Sequence, residues 1–182
     1  MKQLNNFINE KLKINSKSKI NQNIYSYYPK DKYELQNLLS ELITKRGNEA
    51  NLNDIDTSQI TEMRNLFIKH KHFCGNVSFW DVSHVEDMNG IFADCHNFNS
   101  NISKWDVSGV TDMGGMFYKC ENFNQDISKW DVSNVTNMTN MFWGCKNFNQ
   151  NLDKWNIDKC YQRKNIFYQC PLFHNPPTWY KK

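Results

Sequence analysis

The feature that most constrains this chain is an uninterrupted 25-residue period. Ile55, Trp80, Trp105, Trp130, Trp155 and Tyr180 follow one another at intervals of 25 with no insertion. In the same register Phe67, Phe92, Phe117, Phe142 and Phe167 form one column, and Phe73, Phe98, Phe123, Phe148 and Phe173 another, so ten of the twelve Phe are placed by the repeat. Met63, Met88, Met113 and Met138 form a further column, as do Val77, Ile102, Ile127 and Leu152. A unit this short cannot bury its own apolar face, whereas stacked neighbours can. The period therefore predicts a solenoid of about five coils over residues 55–179, with each column a ladder of like side chains. Phe ladders suit such a stack, because successive rings can offset-stack.

Composition agrees with a thin aromatic core. Apolar residues make up 39 % of the 182-residue chain and mean hydropathy is −0.77, yet aromatic residues reach 14 %. No run approaches the ~20 apolar residues of a membrane helix, so no membrane span is expected.

Within one unit, Ile102-x-x-Trp105-x-Val107 fits the L-x-x-L-x-L part of a leucine-rich repeat and predicts a short strand over residues 103–107. Ser58, Ser83, Ser108, Ser133 and Asp158 share a slot that reads as a helix N-cap, with Ser83 and Glu86 the clearest capping box. Val110, Met113, Met116, Phe117 and Cys120 then have the spacing of one helix face. The expected fold class is an α/β repeat solenoid. Each coil is strand, turn, short helix and loop, with a narrow parallel sheet on one side and helices on the convex side.

The ends differ from the array. Asp31 and Glu34 make a D-x-x-E start, and Leu35, Leu38, Leu39, Leu42 and Ile43 carry helical spacing up to Gly47, so residues 29–54 read as a helical N-terminal cap. Residues 1–28 read as an amphipathic tail and linker, with Leu4, Phe7, Ile8, Leu12 and Ile14 on one helical stripe. The fifth unit degrades, with Arg163 in the Met column and Pro171, Pro176 and Pro177 stopping regular structure; residues 180–182 are the C-terminal end.

The unit W-D-V-S-N-V-T-N-M-T-N-M-F-W-G-C-K-N-F-N-Q at residues 130–150, and the stretch Gly47-Asn48-Glu49-Ala50-Asn51-Leu52-Asn53-Asp54-Ile55-Asp56-Thr57-Ser58, carry a more specific signal. They resemble the BspA-like leucine-rich-repeat surface-protein family. Within it they are similar to the PARCEL branch, found in mycoplasma lipoproteins, gut bacteria and some of their phages. The likeness covers roughly residues 29–179. It implies a surface protein that acts in adhesion or partner binding.

Residues 1–50 carry nine Lys/Arg against five Asp/Glu, while the remainder carries thirteen against fourteen. The array therefore lacks the basic field of a dedicated nucleic-acid binder, and no nucleic acid is expected as a partner. The N-terminus has no apolar h-region and no small-residue cleavage site, which predicts a location in the cytoplasm or inside a virion or assembly rather than ordinary secretion.

The chemistry-bearing residues fall mostly into columns. Cys95, Cys120, Cys145 and Cys170 share one and read as small buried thiols rather than disulfides, with Cys160 in the core beside them. His70-x-His72-x-Cys74, with Cys95 and His96 one coil away, is the single metal-like cluster, but its spacing matches no zinc ligand set. No P-loop, dinucleotide fingerprint, nucleophile elbow or H-E-x-x-H motif appears. Neither a cofactor nor enzymatic activity is expected. Phe79, Lys104 and Lys129 lie two residues before Asp81, Asp106 and Asp131, and Lys154 continues their row, forming either a structural polar strip or a charged recognition strip on the strand face. Tyr118, Trp143 and Tyr168 share the column after Phe, where they pack together along the convex edge or present a binding surface. The expected function is non-catalytic binding of a protein or other macromolecule, or adhesion, through the repeat surface. The alternative is a structural component of a larger assembly, docked through the N-terminal tail. The chain would act as a monomer or within a hetero-assembly.

Overall fold

The structure is a computed structural model and describes residues 25–180. The amphipathic stripe expected at residues 1–14 lies outside the described residues.

The strand–helix coil is not what forms. Among the described residues there is one α-helix, α1 (Lys32–Arg46), one short 3-10 turn (Pro171–Phe173) and no strand or sheet. The α/β assignment, the leucine-rich-repeat unit, the strand at 103–107 and the helix from Val110 to Cys120 are all overturned. The period survives in another form. Single parallel bridges join Glu62, Asp87, Asp112, Asn137 and Gln162 in an unbroken row, one residue from each turn of the chain. The protein is a stack of turn-built coils.

The backbone amides show why no helix forms. The N–H groups of Met113, Gly115, Phe117 and Lys119 donate to the carbonyls of Asn137, Thr139, Met141 and Trp143 in the next coil. The N–H groups of Met116, Tyr118 and Cys120 donate to Met113, Gly115 and Phe117, three residues back. Alternate amides thus serve the neighbouring coil, so none remains for an i−4 helical ladder. Each backbone group still finds a partner, as a buried chain requires. Two columns in the left-handed region produce this zigzag: Asn65, Gly90, Gly115, Asn140 and Asn165, and then Asp94, Lys119, Gly144 and Gln169, with φ between 54° and 73°. Gly, Asn and Asp adopt that region most readily.

Carboxylates and amides fold the corners. Oδ1 of Asn76, Asp81 and Asp87 each accepts the N–H two residues on, from Ser78, Ser83 and Asn89 at 3.0, 3.0 and 2.8 Å. The same three corners recur one coil later at Asn101, Asp106 and Asp112. These are Asx turns. Ser83 and Ser108 therefore do not cap helices; they donate to Asp81 and Asp106.

The ladders fill the interior. The Phe67 column stacks at 5.2, 6.1, 5.6 and 5.8 Å between ring centroids, and the Phe73 column at 6.3, 6.0 and 5.7 Å up to Phe148. Within a coil the two Phe stack as well, at 3.8 Å for Phe92 and Phe98. The Trp indoles run beside them, and each Nε1 donates to a carbonyl 28 residues back: Trp80 to Leu52, Trp105 to Val77, Trp130 to Ile102 and Trp155 to Ile127.

Both ends are closed. The Asp31 carboxylate accepts from the N–H groups of Tyr33 and Glu34 and starts α1, and Gly47 at φ 83° ends it. Leu35, Leu39, Leu42 and Ile43 of α1 are buried, and Gln36 and Ser40 reach Asn65 and His70 of the first coil. Tyr27 bridges Ile55, so the last residues of the expected linker pair with the stack. At the C-terminus the register slips by one. Leu172 is buried where the period places Phe173, and Trp179 occupies the indole position expected of Tyr180.

Candidate functional site

Each coil is almost the same, so function rests on what the outward columns present. Lys104, Lys129 and Lys154 are exposed, as are Asp81, Asp106 and Asp131. Among the described residues no ion pair joins the two rows. The Asp carboxylates turn back onto their own corners instead. Hydrogen bonds from the Ser83 and Ser133 side chains and backbones hold the Asp81 and Asp131 carboxyls below the usual carboxylate range. Phe79 takes the place of Lys in its coil and is 71 % exposed.

Tyr118, Trp143 and Tyr168 make a continuous ridge. Ring centroids are 5.9 Å apart for Tyr118 and Trp143 and 4.5 Å for Trp143 and Tyr168, tilted by 49° and 51°. Tyr168 leans edge-on against Phe173 at 6.0 Å, and the Lys119 ammonium lies 5.2 Å from the Tyr118 ring. Tyr118 and Trp143 are half-buried, and Tyr168 is 40 % exposed. The ridge thus packs against itself and still presents its rings to solvent. Its backbone cannot shift easily, because Lys119 and Gly144 beside it bond to Trp143 and Tyr168 of the next coils.

Beside the Tyr118 end runs a groove of about 380 Å³ that crosses the middle coils. Glycines keep it open. A Cβ on Gly114 would lie 2.6 Å from Asn89 Nδ2 and 2.7 Å from Asn137 Nδ2. Both of those amides donate to Asp112 Oδ1 at 3.0 Å, and Arg64 pairs with Asp87 and Asp112 from the side. Asn140 also lines the groove, and its Oδ1 is buried without a hydrogen-bond partner. Sequence reasoning missed this groove. Its signal was the column of Asn65, Gly90, Gly115 and Asn140, residue types that mark left-handed backbone rather than a helix face.

The Cys column is interior. Cys120 and Cys145 donate to the Phe92 and Phe117 carbonyls at 3.0 Å. Burial pushes the Cys95 thiol up to about 12 and the Cys170 thiol up to about 11. The His and Cys residues of the metal-like sequence pattern have separate partners. His70 Nε2 lies 3.2 Å from Ser40 Oγ, while His96 Nδ1 lies 3.1 Å from the Lys119 carbonyl. Among the described residues no three His, Cys, Asp or Glu side chains are placed to hold a metal ion. No helix among them is long and apolar enough to cross a membrane.

No curated protein and no solved structure matches the chain. A family of repeat-containing sequences does, through two overlapping segments, residues 34–127 and 74–180, that together span most of the chain and nearly all of the stack. The protein belongs to the family described as Mycoplasma protein of unknown function, DUF285.

Proposed function

We propose that the protein is a non-catalytic binding or adhesion module of the BspA-like, PARCEL-type kind, and that it engages a macromolecular partner through the Tyr118–Trp143–Tyr168 ridge. The observation that carries this reading is the ridge itself: three aromatic rings in mutual contact, partly exposed, on a backbone tied to the neighbouring coils. Tyr and Trp are over-represented among residues that dominate binding energy. A surface that is already ordered loses little entropy on association. The charged columns fit the role less well. Their carboxylates are engaged in corner turns, and exposed charges are screened by salt over roughly 8–10 Å.

The test is a binding screen against immobilised purified proteins and glycoproteins, followed by variants. Trp143→Ala should weaken binding by about tenfold or more, and added salt should not. Lys104→Glu with Lys129→Glu should leave binding unchanged. Loss of binding in the Lys pair alone would reject the ridge.

A further inference from the structure

The peptide units that join the coils along the bridge row all point one way. The unit between Asp112 and Met113 accepts from the Met88 N–H through its carbonyl and donates to the Asn137 carbonyl through its N–H. The units between Asp87 and Met88 and between Asn137 and Met138 do the same. Their dipoles add along the stack as they do along a helix, which makes the C-terminal face the positive end. On that face Arg163, Asn165, Phe167 and Gln169 are the counterparts of the donors Met138, Asn140, Phe142 and Gly144, and their N–H groups meet no acceptor among the described residues. The Lys164 N–H joins them. In earlier coils Asn89, Gly114 and Thr139 donate that amide to the Asp or Asn two residues back, but Gln162 stands at this corner of the fifth coil and makes no such bond.

The side chains here carry the sign that folding disfavours. Arg163 replaces the buried Met of the earlier coils and is exposed, with exposed Gln162 and Lys164 on either side. Residues 159–182 carry five Lys/Arg and no Asp or Glu, against eight and fourteen over residues 51–158. A solenoid needs a polar end for solubility, and acidic residues would supply one with the favourable sign. Cations beside a row of open N–H groups repel that row until an anion arrives between them.

Going beyond the ridge, we infer that the edge at residues 162–165 docks an extended acidic segment of a partner protein. Polypeptide fits because this edge is where one more coil would pair. The matching amides of Met138 and Asn140 bond to Gln162 and Lys164, alternate carbonyls of such a chain. Carboxylates on the segment would face Arg163 and Lys164, and its carbonyls would accept from the open amides. The closure at the C-terminus covers the aromatic interior but not this edge: Tyr180 lies edge-on to Phe167 at 5.1 Å, and Phe167 is buried. The segment is therefore confined to the Arg163 end and is short. A second copy of the same edge does not fit, because it brings donors to donors.

The experiment uses the full chain and fluorescein-labelled short peptides of alternating Glu and Val, read by fluorescence anisotropy in low salt. The Glu/Val peptide should bind, and its Gln/Val counterpart should bind about tenfold more weakly. Arg163→Met with Lys164→Thr restores the residues of the fourth coil; it should lower affinity about tenfold while the melting temperature stays equal or rises. Lys104→Ala with Lys129→Ala removes the same charge from the middle of the array and should change nothing. Gln162→Asn leaves the charge alone but gives the Lys164 N–H its corner acceptor, so it should weaken binding several-fold. No binding of the Glu/Val peptide, equal loss in the two double variants, or indifference to Gln162→Asn overturns the proposal. Displacement by equimolar inorganic phosphate would reduce the edge to a free-anion site, and tighter binding of a single-stranded oligonucleotide would put nucleic acid in the peptide's place; either result overturns it as well.

Discussion

The indole of Trp179 stacks on that of Trp155, with ring centroids 6.4 Å apart and planes within 9°. Its Nε1 donates to the Leu152 carbonyl at 2.8 Å, as the other indoles do one coil earlier. The 25-residue count places Tyr180 there, so the chain has dropped one residue after Cys170. The 3-10 turn at Pro171–Phe173 absorbs the slip and buries Leu172 in place of Phe173. Trp179→Ala is expected to cost about 2 kcal/mol, less than a fully buried aromatic because the site is at the end of the stack. Tyr180→Ala should cost less than that. Urea melts of the two variants decide which residue closes the ladder.

The Phe columns should carry stability and the Lys column should not. Phe123 is fully buried and stacks on Phe98, Phe117 and Phe148. Phe123→Ala should cost about 3–5 kcal/mol, a large share of a domain's ~5–15 kcal/mol. Lys129 is exposed, and Lys129→Ala should change stability by about 0.5 kcal/mol or less. Similar losses for both would mean that the stack is not held by its aromatic ladders.

The stack should be modular. Removing residues 105–129 joins Lys104 to Trp130 and keeps every column in register, so a shorter protein with a cooperative melt is expected. Removing residues 105–116 breaks the register and should abolish folding. Circular dichroism melts of both deletions provide the comparison.

Acid should loosen the corners. The Asp81 carboxyl is held low first by the Ser83 side chain, and that of Asp131 by Ser133. A carboxyl lowered in the folded state adds stability that is complete above its unfolded pKa, about 4, and is lost as pH falls through the folded value. The melting temperature should therefore fall as pH drops below about 4. Asp81→Asn with Asp131→Asn keeps an acceptor at each corner and should flatten that decline. An unchanged acid limb would show that these turns do not couple to folding.

The thiols should be reduced and shielded. Cys95, Cys120, Cys145, Cys160 and Cys170 are buried, and Cys74 alone among the six is partly exposed. Alkylation of native protein at pH 8, read by mass spectrometry, should modify Cys74 slowly and leave the others untouched until denaturant is added. A reducing agent should leave the melting temperature where it is.

Much of the stack was legible in the sequence. The Phe, Met and Trp columns announced the period and the interior, because large apolar side chains repeated in every coil can be shielded from water together only by stacking inward. The start of α1 was equally plain, because Asp31 accepts from its Tyr33 and Glu34 amides and Glu34 reaches back to the Lys30 amide, all through local hydrogen bonds.

The conformation within a coil was not legible from the same pattern. Val110, Met113, Met116, Phe117 and Cys120 have helical spacing, yet spacing records only which side chains face the core. It does not say whether an amide bonds four residues back or across to the next coil. Gly115 and Lys119 settle that question with left-handed backbone, and the partners of their N–H groups are residues more than twenty positions away. The period and the buried columns were thus determined by the sequence, through hydrophobic repetition. The turn-built coil, the slip at Trp179 and the amide groove beside Tyr118 were decided by the tertiary structure, because each depends on hydrogen bonds between coils that exist only once the stack is formed.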